Sequence, residues 1–302
     1  MAAHYACDMD GERPLRSART DIVDVQRPAT RRLPLVLASP HSGSDYPADL
    51  LAASRLDPRA LRQSEDSYVD ELFAVAPRLG APLLSARFPR AYVDVNREAY
   101  ELDQAMFEDT LPDFVNASSP RVRMGFGTIA RIVASGEEIY AKKLSFAEVN
   151  RRIECLYRPY HAALHQLVGE TEDAFGGYLL VDCHSMPSAA GSTRGQNSAD
   201  IVLGDYHGAS CARQIVEAAS GFLVNRGFVV AINSSYAGGF TTGTYGCPGA
   251  HRHALQIENN RALYMDEQSY RRKPRFARLV KDMSDLVQRL GQVASDCLPR
   301  ST

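Results

Sequence analysis

No CxxC pair occurs among the six cysteines, Cys7, Cys155, Cys183, Cys211, Cys247 and Cys297, which lie far apart in a chain of 302 residues. Disulfide-framed proteins are short and cysteine-dense, so the pattern predicts a reduced, cytoplasmic chain. No apolar run approaches the roughly 18–20 residues that cross a bilayer. The opening residues MAAHYACDMDGERPLR carry acids and lack the apolar core of a secretory signal, so a soluble protein is expected. Net charge is nearly absent as well. The 34 basic and 36 acidic side chains leave −2, which gives no reason to expect nucleic acid or an anionic membrane as partner. Repeats, low-complexity tracts and an evident interdomain linker are missing too, which favours one domain.

What is present is ordinary in bulk, with 45% hydrophobic and 23% charged residues. The length suffices for a full core. Residues 1–32 are polar and Arg-rich and predict an N-terminal arm, followed by a single catalytic domain over 33–302. LPLVLAS (33–39) predicts a buried strand, and Asp57-Pro58 opens a helix that runs to Leu79 and stops at Gly80. Strands are expected at 82–87, 91–95, 178–182, 200–204, 228–232 and 254–258. Helices are expected from the capping box Ser145–Glu148 to about Ala174, divided or kinked at Pro159, then around 209–225 and from Pro274 to Val293. Strands alternating with helices predict an α/β three-layer sandwich with a mixed, largely parallel central sheet.

Ligands of open α/β sheets sit beyond the carboxyl ends of the strands. There the sequence places His41 after LPLVLAS, His184 after YLLVD, Asn96-Arg97 after AYVDV, and Glu258 at the end of ALQIE. Two strand-end histidines suit a catalytic zinc ion, which takes about three protein ligands and one water. A carboxylate would complete the set, with Asp66 or Glu65 as candidates, and Asp182 shares the face of His184 and could orient it. Glu258 ends an apolar run, where a carboxylate is either functional or paired, here as a general base or in an ion pair with Arg261 or Arg252. Arg97 with Asn96 suits a substrate carboxylate and Arg90 a developing oxyanion, unless the arginines pair with Asp94 or Glu98 at the surface.

The Gly/Ser/Thr/Tyr-rich stretch 233–249 reads as a long binding loop, with Tyr236, Thr241, Thr242 and Tyr245 as possible donors to substrate. It has no Walker lysine, so a phosphate cradle is not expected. His161 and His165 lack the glutamate of HExxH and are expected in helix packing. His253 in HRH is expected in a strand lead-in. DCHSM and SPHSGS do not fit GxSxG, and Cys183 points away from the face of His184, so neither a serine nor a cysteine nucleophile is expected.

SPHSG, EDSYVDEL, RAYVDVNR, DCHSM and HALQIENNRALYMDE, in this order across residues 34–268, resemble the N-formylglutamate amidohydrolase family. The resemblance implies a zinc-carboxypeptidase-like fold of the aspartoacylase type. It implies one divalent metal ion, Zn2+, held by His41 and His184, and Glu258 as the base. Asn96 and Arg97 would bind the substrate carboxylate, with Arg90 at the oxyanion. Carboxypeptidase-type enzymes place a ligand three residues after the first histidine. That position is Ser44 here, so Asp66 is taken as the third ligand. The implied reaction is hydrolysis of N-formyl-L-glutamate, an acidic N-acyl amino acid, in histidine degradation. Other acyl amino acids, or a non-catalytic amino-acid-binding role, are the alternatives.

Overall fold

The apolar run expected as a strand folds as β2 (Leu35–Ser39), buried along its whole length. The computed structural model describes residues 21–191 and 199–298, so Cys7 and residues 1–20 of the expected arm lie outside the described residues. Six further strands complete the sheet: β1 (Val23–Gln26), β3 (Leu83–Ala86), β4 (Tyr178–Met186), β5 (Ile201–Gly204), β6 (Val230–Ile232) and β7 (Arg252–Asn260). Their order is β1-β3-β2-β4-β7-β5-β6. β3, β2, β4 and β7 run parallel, whereas β1 is antiparallel to β3, and β5 with β6 is antiparallel to β7. The mixed sheet is thus as expected. β1 lies inside the segment read as a loose arm, and Val23 to Gln26 pair with Ala86 to Leu83 at the sheet edge.

Alternation along the strands divides the core into two layers. Leu35, Leu37, Leu179, Val181, Leu255 and Ile257 pack with the helices Arg213–Asn225 and Phe276–Cys297. Val36, Ala38, Leu180 and Ala254 pack with Tyr160, Leu164 and Leu167 of the helix Arg158–Phe175. Leu37 is fully buried, and truncating such a leucine to alanine costs about 2–5 kcal/mol. Asp182, His184, Gln256 and Glu258 share the parity of Leu180 and Ala254, so they face the second layer. No described helix is long and apolar enough to cross a membrane.

Three expected elements differ. The helix predicted over 57–79 breaks into Pro58–Leu61, the 3-10 turn Arg62–Ser64, Val69–Leu72 and Ala76–Leu79. Asp57 caps it through Ala60 N and Gly80 ends it at φ +100°, as read, but the break around 65–68 makes a bend that carries Asp66. AYVDV (91–95) is irregular backbone rather than a strand. Its carbonyls and amides bond to turns, as in Asp94 N to Thr128 O at 2.8 Å. The stretch 233–249 holds a short helix, Phe240–Tyr245. Farther along, the helical run after Ser145 is divided by a π-helical turn, Ile153–Tyr157, next to Pro159.

Candidate metal centre and active site

β2, β4 and β7 end side by side, and their register sets His184 opposite Glu258 and Asp182 opposite Gln256. His41 follows β2 in a turn stabilised by Ser39 Oγ donating to Ser42 Oγ at 2.9 Å. Gly43 of the same turn has no room for a side chain. A Cβ there would sit 2.2 Å from the Phe88 carbonyl oxygen, so the turn lies against the backbone leading to Arg90. Asp66 reaches His41 through the bend of the broken helix, where its backbone N–H donates to the His41 carbonyl at 2.9 Å.

His41, Asp66 and His184 are all buried, and one donor atom from each lies within 4.8 Å of the others. His41 Nδ1 is 3.2 Å from His184 Nδ1 and 3.5 Å from Asp66 Oδ2, and His184 Nδ1 is 3.1 Å from the same oxygen. The second nitrogen of each imidazole rests on its own carboxylate. Asp94 Oδ1 lies 2.7 Å from His41 Nε2, and Asp182 Oδ2 lies 3.0 Å from His184 Nε2. A carboxylate on the far nitrogen fixes the tautomer and aims the near lone pair, as at metal-binding histidines. Two imidazole nitrogens and one carboxylate oxygen converging on one point form a donor set suited to a divalent ion such as zinc. This group could hold a metal ion.

Three carboxylates of the site have different electrostatics. Burial alone would raise Asp66, yet the His184 and His41 hydrogen bonds and the Arg261 guanidinium hold its carboxyl well below the usual range. Burial likewise works against Asp94, which Arg90 and then His41 and Arg97 hold low. Glu258 goes the other way and is pushed up to about 7, chiefly by burial. It accepts Gln256 Nε2 at 2.8 Å on Oε1, and among the described residues its Oε2 has no partner. Neither ion pair considered for it forms, since Arg261 binds Asp66 and Arg252 binds Glu172.

The remaining expected residues divide into two groups. Arg90 donates Nε to Asp94 Oδ2 at 2.9 Å, and among the described residues its Nη1 and Nη2 donate no hydrogen bond. Tyr236 lies within electrostatic reach of Glu258, Asp66, Arg261 and Arg90; burial, then the Glu258 charge, pushes its phenol up to about 12. Asn96 and Arg97, expected on the substrate carboxylate, have protein partners instead. Asn96 Nδ2 lies 3.2 Å from His184 Nε2 and its Oδ1 accepts Thr241 N at 2.9 Å. Arg97 donates Nε to Phe126 O and Nη1 to Asn96 O, both at 2.8 Å. Thr242 Oγ1 exchanges hydrogen bonds with Gly239 at the start of Phe240–Tyr245, so its hydroxyl serves that turn. Its neighbour Thr241, by contrast, has a buried hydroxyl without a partner.

Glu65, the other candidate ligand, bonds Ser67 Oγ at 2.6 Å and Arg62 at 3.2 Å, away from the histidines. His161 sits in helix packing, with Nδ1 3.0 Å from Tyr245 OH and Nε2 2.9 Å from Val95 O. His253 is buried against Ala212 N, and Cys183 lies in the opposite core layer. Sequence reasoning missed Asp94 as the partner of His41 and Arg261 as the partner of Asp66. The pairing of Arg90 with Asp94 was expected only as a surface alternative to the oxyanion role; it forms, with Asp94 buried beside His41.

A family model described as N-formylglutamate amidohydrolase matches residues 33–265. An N-formylglutamate deformylase of Pseudomonas putida is 30% identical over 242 residues, which is 78% of this chain and 83% of that protein. One from Pseudomonas aeruginosa is 28% identical over 241 residues, 79% of this chain and 84% of that one. The crystal structure of N-formylglutamate amidohydrolase from Ralstonia eutropha JMP134 superposes with a TM-score of 0.85 at 39% identity, covering 89% of this chain and 97% of that one. A structure from Agrobacterium tumefaciens, at 16% identity and a TM-score of 0.58, shares the fold. With most of the chain matched by the model and by a solved structure, the protein belongs to the N-formylglutamate amidohydrolase family.

Proposed function

We propose that the chain hydrolyses N-formyl-L-glutamate to formate and L-glutamate at a metal centre held by His41, Asp66 and His184. The carrying observation is the buried group of three donors beside a carboxylate, Glu258, with one free oxygen. The names of the Pseudomonas relatives supply the substrate. A divalent ion held by these three residues, Zn2+ in this reading, would supply Lewis acidity. Glu258 Oε2 takes a proton from the attacking water and returns it to the departing amine nitrogen. Its elevated pKa suits that exchange, because a base near the working pH both accepts and releases a proton. Arg90, with two nitrogens that have no partner among the described residues, faces the developing oxyanion, and Tyr236 donates to the substrate. Asn96 and Arg97 position substrate indirectly, by fixing His184 and the wall beside Asp94.

The same reading takes 33–302, joined at the sheet edge by β1, as one catalytic unit, relates the fold to the zinc carboxypeptidases, and places a cytoplasmic enzyme in histidine degradation. The test is formate release from N-formyl-L-glutamate, measured before and after chelation and on return of zinc. Activity lost and then restored supports the assignment. A folded, zinc-loaded protein that releases no formate rejects this substrate, and a panel of other N-acyl amino acids then separates a different deacylase from a binding protein.

A further inference from the structure

Each histidine of the metal group rests on a carboxylate, and the third donor has a support of its own that no sequence pattern indicated. Arg261 follows directly on β7, the strand that ends beside Glu258, and its side chain is 7% exposed. Its planar head makes three bonds in three directions. Nη2 donates to Asp66 Oδ1 at 3.1 Å, Nε to Ser185 Oγ at 3.1 Å, and Nη1 to the Gln63 carbonyl at 2.9 Å. Ser185 Oγ in turn donates to the same Asp66 oxygen at 3.1 Å. Oδ1 is therefore filled from two sides, while Oδ2 alone faces the imidazoles.

We propose that Arg261, acting with Ser185, is a positioning residue that holds Asp66 with one carboxylate oxygen turned toward His41 and His184. The inference rests on the metal reading above. A guanidinium suits the task because its donors lie in a fixed plane, so bonds to Gln63 and Ser185 set the angle at which Asp66 is met. A lysine would supply the charge without the fork. Arg261 also lines a cavity of about 240 Å3 with Gln63, Pro187, Glu267 and Tyr270. Truncating it opens the Asp66 side of the site toward that cavity and frees the carboxylate to rotate.

The experiment measures zinc affinity by competition with a chromophoric chelator, together with the visible spectrum of the Co2+-loaded protein. The proteins are wild type, Arg261→Met, Arg261→Lys and Ser185→Ala, each checked for folding by near-UV circular dichroism. Affinity is expected to fall about 10–100-fold in Arg261→Met, as on losing the hydrogen-bond support of a ligand. Arg261→Lys recovers part of the loss, and Ser185→Ala shows a smaller loss. The Co2+ bands weaken in Arg261→Met as a second carboxylate oxygen enters the coordination sphere. Wild-type affinity and an unchanged Co2+ spectrum in folded Arg261→Met overturn the positioning role and leave the metal reading intact. If Arg261→Met does not fold, unchanged affinity and spectra in both Arg261→Lys and Ser185→Ala overturn it equally. Failure of the wild type to bind zinc overturns the metal reading itself.

Discussion

Asp66 and Glu258 are both buried carboxylates, and the difference between them sets the chemistry of the site. Asp66 is surrounded by donors and stays ionised, as a ligand must, whereas Glu258 has one donor and is driven by burial toward the neutral pH range. Replacing Glu258 by Gln keeps the size and removes the proton carrier. Turnover is then expected to fall by at least about 10²–10⁴-fold, with zinc still bound, in parallel assays of formate and metal content. Asp94→Asn leaves His41 without its anion and should weaken zinc binding by about 10–100-fold, which the same chelator competition reads. His41, His184 and Glu258 were legible because each lies in the last residues of a buried strand or just beyond it, where a polar side chain is conspicuous. Asp94 was not, since its partner lies 53 residues away and only the folded chain brings them together.

At the scale of elements, the buried central strands were legible and irregular segments were not. Short apolar runs mark β2, β4 and β7 directly. The turns at 65–68 and 91–97 follow instead from distant partners such as Thr128 and His41, which local propensity does not register. Gly43 belongs to this class. Gly43→Ala would force the turn after β2 off the Phe88 backbone, and a loss of about 1–3 kcal/mol in chemical denaturation is expected. His161 joins the Arg158–Phe175 helix to Val95 and Tyr245, and burial lowers its pKa below 6.5. The unfolded chain therefore binds a proton more readily. The contribution of neutral His161 is complete above about pH 6.5 and is lost as pH falls through the lower folded value. The stability difference between wild type and His161→Gln should shrink on going from about pH 8 to about pH 5, as thermal melts at both pH values would report.

For the molecule as a whole, the three donors come from separate parts of the chain, and an ion there would tie β2, the 65–68 bend and β4 together. Binding to the folded state alone stabilises it by about 2.7 kcal/mol when free ion is a hundredfold above Kd. Chelation should therefore lower the melting temperature, and added zinc should restore it. The α/β class and the mixed sheet were legible from the alternation of elements. The reversal of β5 and β6 was not, because a short apolar strand reads the same in either direction. Neither was β1, whose edge position admits the polar residues of VDVQ.

The sheet order also carries a history. β4 and β7 are neighbours in space, but β5, the Arg213–Asn225 helix and β6 lie between them in the chain. During synthesis all three donors are therefore released once β4 has emerged, while Glu258 and Arg261 are still to be made. On the metal reading proposed above, a nascent chain has all three donors before it has the base. The last strand to be made is the one that carries Glu258, the base of the proposed reaction.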